Sequence, residues 1–161
     1  MTTGIFNLVT PDDLLKKLRH DYEELKLHPF DAYLAYNFFV TAESMPDWIY
    51  PGCSPVIAQK RKSLRNSDVL LEITSHLASG AKHFTHLRPS HKSVLDSTPT
   101  VGYFTNYFPV NYFPKGYFGQ GVLIIRLEND ARLLLGETIN AVNLAKRVLQ
   151  FWEDYFTRII I

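Results

Sequence analysis

Only one cysteine occurs in the 161-residue chain, Cys53, within the turn Pro51-Gly52-Cys53-Ser54-Pro55. No internal disulfide can form, so the fold must rest on packing, and a reducing compartment suits it. The flanking prolines and the lack of an adjacent base make Cys53 a turn residue rather than an activated thiolate. Long hydrophobic runs are missing too. Nowhere do about 18 apolar residues follow one another, and the first residues show no basic segment leading into an apolar one. The expectation is a cytoplasmic protein that does not engage a membrane. No G-x-S-x-G elbow, phosphate loop or dinucleotide-binding glycine fingerprint appears, which removes the usual support for acyl transfer, NTP hydrolysis and hydride transfer. Histidines spaced i, i+4 and clustered cysteines are also absent, so neither a metal nor a cofactor is expected.

What is present fits one domain spanning residues 1–161, long enough to bury a sizeable core. Hydrophobic residues make up 46% and charged residues 20%, an ordinary globular balance, but 14% aromatic implies large buried rings or an adhesive surface. The net charge of +1 conceals an uneven layout. Four cations face eight carboxylates in residues 1–53, seven face two in 54–92, and six face six in 93–161. Opposite blocks of this kind either pair within one fold or leave a basic face for an acidic partner.

Thr10-Pro11-Asp12-Asp13 has the composition of a helix start, and Leu14, Leu15, Leu18, Tyr22 and Leu25 then recur at spacings of three and four until His28-Pro29. The second helix is expected from about Asp31 to Trp48. It is apolar nearly all round, which predicts burial of Tyr33, Tyr36 and Phe38 alike and requires partners for Asn37 and Thr41. Pro46 and Pro51-Gly52 are expected to kink and close it. Ser54-Pro55 begins a third helix that reaches the basic stretch Lys60-Arg61-Lys62. Asn66-Ser67-Asp68 breaks the chain, and Val69, Leu70, Ile73, Leu77 and Ala81 form the stripe of a fourth. Residues 85–98 read as a loop. Tyr-Phe then repeats four times, at Tyr103, Tyr107, Tyr112 and Tyr117, followed by a pattern of strand, Asn129-Asp130 turn and strand over residues 121–136. A last amphipathic helix is expected from about Glu137 to Phe156. The fold class is therefore α+β, mainly α: a bundle of four or five helices with a small antiparallel β-hairpin before the C-terminal helix.

Three histidines and a lysine crowd into Ser75–His86. His76 and His83 share a helix face but stand about 10.5 Å apart along the axis, too far for one metal to join unaided. Lys82 and His83 suit the exposed carbonyls at a helix end. They are also the candidate catalytic pair, with Asp47 as a carboxylate and with His83 handling a proton beside Asn37 or Glu43. Two further features suit binding. Lys60, Arg61, Lys62 and Arg65 place four cations in six residues, fit for phosphates. The Tyr-Phe tract supplies rings for stacking, though Lys115 is its only cation.

The segments Phe39-Val40-Thr41-Ala42-Glu43-Ser44-Met45-Pro46-Asp47-Trp48 and Leu77-Ala78-Ser79-Gly80-Ala81-Lys82-His83-Phe84, with Phe151-Trp152-Glu153, resemble a family of small uncharacterised bacterial helical proteins. The likeness spans most of the chain. Ser44, His76 and Ser79 depart from the family pattern, which has His, Asp and Asn there. The resemblance implies that Asp47, Trp48, Lys82 and His83 form either a shared site or a structural clasp between the second and fourth helices. HEPN-type ribonucleases are also small helical bundles, but their closely spaced Arg–His pair has no counterpart here. The expected function is a non-catalytic interaction module that binds a protein partner or itself, with the Tyr-Phe tract and the hairpin edge as its surface. A hydrolase or ribonuclease using His83 and Lys82, and nucleic-acid binding through residues 60–65 and the Tyr-Phe tract, stand as alternatives.

Overall fold

The computed structural model describes residues 4–82, 92–100 and 121–159, without the side chains of 81, 82, 100 and 159. The Tyr-Phe tract and the segment holding His83 and His86 lie outside the described residues. Elements follow in the order α1 (Pro11–Leu27), α2 (Ala32–Ile49), α3 (Pro55–Arg65), α4 (Val69–Lys82), β1 (Val94–Thr100), β2 (Val122–Leu127), α5 (Asn129–Leu135), β3 (Thr138–Asn140) and α6 (Ala141–Ile159). The architecture is mainly helical α+β, with six helices among the described residues and a three-stranded antiparallel sheet before the C-terminal helix.

Local chemistry accounts for the helix starts. Thr10 and Asp13 form a reciprocal capping box: Thr10 Oγ1 accepts from the Asp13 N–H at 3.2 Å, and Asp13 Oδ2 accepts from the Thr10 N–H at 3.1 Å. Pro11 occupies the first turn, where its missing N–H costs nothing. Asp31 caps α2 through the N–H groups of Tyr33 and Leu34, and Ser54 caps α3 through that of Ile57. Pro46 sits buried inside α2 without ending the helix, which continues to Ile49.

Helix α2 is the central element and packs against α1, α4, α3 and α6. Its Phe38, Ala42 and Met45 are fully buried together with Leu18, Leu25, Ile73, Leu144, Val148 and Trp152. The expectation of burial all round fails at its first turns. Tyr33 is 83% and Tyr36 44% exposed, and Asn37 also faces outward. Neighbouring helices cover only one side of α2 there. Thr41 is buried as expected and is satisfied: its Oγ1 accepts from Lys17 Nζ at 2.8 Å and lies 2.7 Å from both Asp21 Oδ2 and Asn37 O.

The sheet departs most from the sequence pattern. Residues 129–135, expected as a turn and returning strand, form α5, which ends at Gly136 with φ +92°. The partner of β2 is β1, drawn from the predicted loop, while β3 takes the first residues assigned to the last helix. Strand order is β1-β2-β3, with a register shift between Val94 and Asp96. Ile125 and Leu127 turn inward beneath α6, and Ile139 is buried from β3 rather than from a helix face. Ala131 alone is buried in α5, while Leu133 and Leu134 are 83% and 68% exposed. Residues 94–100 took the strand edge for which 129–136 would have competed, so the leucine run was left to helical propensity.

Candidate functional site

Two regions gather side chains able to do more than fill space. In the first, Glu43 and Asp47 lie four residues apart on α2 and receive Arg65 from the end of α3. Arg65 Nε lies 2.6 Å from Glu43 Oε1, and its Nη2 lies 2.6 Å from Asp47 Oδ2. Arg61, one turn earlier, places Nη1 at 3.1 Å from Asp47 Oδ1 and donates to the carbonyls of Tyr50 and Gly52. Ser75 of α4 donates to Glu43 Oε1 at 3.4 Å. Burial alone would lower the Arg65 guanidinium, but the charges and hydrogen bonds of Glu43 and Asp47 outweigh it and raise its pKa above the ordinary arginine value. The cluster joins three helices by charge-assisted bonds.

This places several sequence candidates. Arg61 and Arg65 are half-buried and bound to carboxylates. Lys62 is exposed, and Lys60 holds its Nζ 5.8 Å from the ring centre of Tyr50. Asp47 joins α2 to α3, and the tie from α2 to α4 runs through Glu43 and Ser75. Trp48 is half-buried against the core. Lys82 ends α4 in backbone, its side chain lying outside the described residues as His83 does. No pattern in the sequence links Tyr50 to Tyr155, 105 residues later, yet their hydroxyls lie 3.3 Å apart. Burial first, then the Tyr50 hydrogen bond, pushes the Tyr155 phenol up to about 12.

The second region is a cavity of about 540 Å³ where the first turns of α2 and the last turns of α4 approach β1 and β2. Ala35, Phe39, Leu77 and Leu123 line its apolar interior, with the small residues Ala32, Gly80 and Ala141 leaving the room. Phe30, Tyr36 and Leu95, themselves 45%, 44% and 58% exposed, also line it. His76 stands at one side, buried, with Nδ1 accepting from the Val94 N–H at 3.1 Å and 3.4 Å from Ser93 Oγ. That bond assigns its proton to Nε2 in the neutral ring. His76 therefore fastens α4 to the start of β1. Sequence reasoning missed the strand wall because Asp96-Ser97-Thr98-Pro99 has the composition of a turn.

No group of three or more histidine, cysteine, aspartate or glutamate residues able to hold a metal ion occurs among the described residues. No helix among them is long and apolar enough to cross a membrane. The chain matches no protein-family model, no curated protein and no solved structure.

Proposed function

We propose that the protein is a non-catalytic interaction module that binds a protein partner or a second copy of itself, with the cavity between α2, α4 and β1 as the seat of the contact. The observation that carries this reading is the apolar cavity with Phe30, Tyr36 and Leu95 exposed along it. Aromatic rings at such a rim are the side chains that supply most binding energy at protein interfaces. On sequence grounds the Tyr-Phe tract, with Tyr103, Tyr107, Tyr112 and Tyr117, is a further contact element of this reading.

Two observations weigh against the alternatives. Arg61 and Arg65 are spent on carboxylates, which reduces the cationic stretch available to phosphates. Asp47, the carboxylate of the hydrolytic alternative, has both oxygens bound to guanidinium groups. The test is a photo-crosslinking amino acid placed at Tyr36, with the same group at Lys62 as control. A crosslinked protein adduct, own or foreign, is expected from Tyr36 and not from Lys62. Equal products from both positions, or none from either, would refute the assignment of the contact to this cavity.

A further inference from the structure

Among the described residues no strand lies beyond β1, and this outer edge specifies a partner strand. The Leu127 N–H donates to Glu137 O on the β3 side, so by alternation Ile125 and Leu123 also point toward β3, while Val122, Ile124 and Arg126 point toward β1. Their register partners Thr100, Thr98 and Asp96 therefore turn their backbone groups to β2. Ser97 and Pro99, with Val94 beyond the register shift, turn theirs away from the sheet. The Val94 N–H is taken by His76, and Pro99 has no N–H. Within the paired stretch 96–100, Ser97 is thus the residue that turns both an N–H and a C=O outward, with no partner for either among the described residues.

We propose that the protein forms a two-fold symmetric dimer in which β1 pairs antiparallel with β1 of a second copy, centred on Ser97. This deepens the interaction reading above and rests on it. A residue on the axis of an antiparallel ladder exchanges both hydrogen bonds with its own copy, so one open N–H and one open C=O suffice. The next position on either side pairs Asp96 with Thr98 of the second copy, and both side chains stand on the face that carries Arg126 and Ile124. Non-hydrogen-bonded cross-strand pairs are the close ones, near enough for a hydroxyl to reach a carboxylate. The Asp96 side chain is 40% exposed, and with Oδ1 buried it is Oδ2, 3.7 Å from Nη1 of Arg126, that remains open to a hydroxyl.

Strand β1 also carries the devices that keep an edge from pairing indiscriminately. The register shift between Val94 and Asp96 closes one end, and Pro99 the other. Centring the ladder on any neighbour would aim groups already bonded to β2, or the missing proline N–H, at the second copy. The contact is therefore restricted to one register and closes as a dimer instead of extending into a fibre. It would join the two sheets edge to edge, with the helices of both copies on the same face and the two apolar cavities adjacent.

The test is sedimentation of the full chain across a wide range of concentration. A concentration-dependent dimer is expected. Ser97→Pro removes an N–H that points away from β2, so it should weaken dimerisation by at least about tenfold, the effect of two lost backbone hydrogen bonds, while sheet content by circular dichroism persists. Thr98→Val should weaken it by about threefold through loss of the hydroxyl. If Ser97→Pro fails to fold, Ser97→Cys in a Cys53→Ser background should give a covalent dimer on oxidation, since paired antiparallel residues lie within disulfide reach. A chain that stays monomeric overturns the proposal, as does a dimer that Ser97→Pro leaves unchanged or that yields no covalent product. In each case the Tyr36 crosslink still reports separately on whether the cavity meets a protein.

Discussion

Among single residues, Arg65 makes the most consequential contacts in the described structure. Its side chain is 22% exposed and spans two carboxylates that would otherwise repel each other across one turn of α2. Arg65→Ala is expected to lower stability by about 2–3 kcal/mol, below the figure for a fully buried pair because solvent partly screens the site. Arg65→Lys should recover only part of that, because an ammonium cannot fork between two carboxylates. Urea unfolding of both variants measures this, and equal loss from the two would mean that the fork geometry contributes nothing. Asp13 makes a pH prediction on the same scale. The Thr10 hydroxyl first, then Lys16 and the Val9 N–H, lower its pKa from 3.8 to about 2. A carboxylate depressed in the folded state stabilises it above its ordinary pKa, and that stabilisation is lost as pH falls through 2. Titrating the Asp13 carboxyl by NMR should give a midpoint near 2, and Asp13→Asn should flatten the acid limb of the stability profile. A midpoint at the ordinary value would refute the capping-box account.

Secondary-structure elements were unevenly legible. The starts of α1, α2 and α3 were visible because capping is a local event: Thr10, Asp31 and Ser54 bond to N–H groups only two or three residues onward. The stripe of α1 was visible because burial on one side repeats with the helical period, whereas in α4 the deepest burial falls on Leu71, Ile73, Thr74 and Ala78, and Val69, Leu70 and Leu77 of the expected stripe are only partly buried. Strand β1 was not visible, since Ser97, Thr98, Pro99 and Thr100 favour turns until a neighbouring strand supplies a ladder. Helix α5 was misread because Leu133-Leu134-Leu135 contains no polar residue to mark a face. The exposure of its leucines supports a specific expectation. Leu133→Lys and Leu134→Lys should each change stability by no more than about 0.5 kcal/mol. In a hairpin, adjacent residues point to opposite faces, so one of the two would cost several times more. Thermal unfolding of the two variants decides between these outcomes.

At the scale of the whole molecule, the opposed charge blocks of the sequence meet each other in part. Glu43 and Asp47 from the acidic block accept Arg61 and Arg65 from the basic one. The Tyr50–Tyr155 contact similarly ties the end of α2 to α6. Tyr155 ionises in the folded protein only near pH 12, against 10 for the free phenol. A raised folded pKa means that its stabilising contribution is complete below pH 10 and is lost as pH rises through 12. Tyr155→Phe should therefore lessen the alkaline loss of stability between those values, read from urea midpoints. An unchanged alkaline limb would show that the phenol does not ionise against the fold.

The amino-acid sequence by itself determined where most helices begin and which face of α1 turns inward. Caps and apolar stripes act over one or two turns, and no distant partner is needed to specify them. Tertiary structure alone decided that β2 would pair with residues 94–100, that Tyr33 and Tyr36 would stay outside, and that Arg65 would be enclosed by carboxylates. Each of those outcomes depends on what lies across a gap in space, and hydrogen-bond ladders, burial and ion pairing take their energy from neighbours that sequence spacing does not reveal.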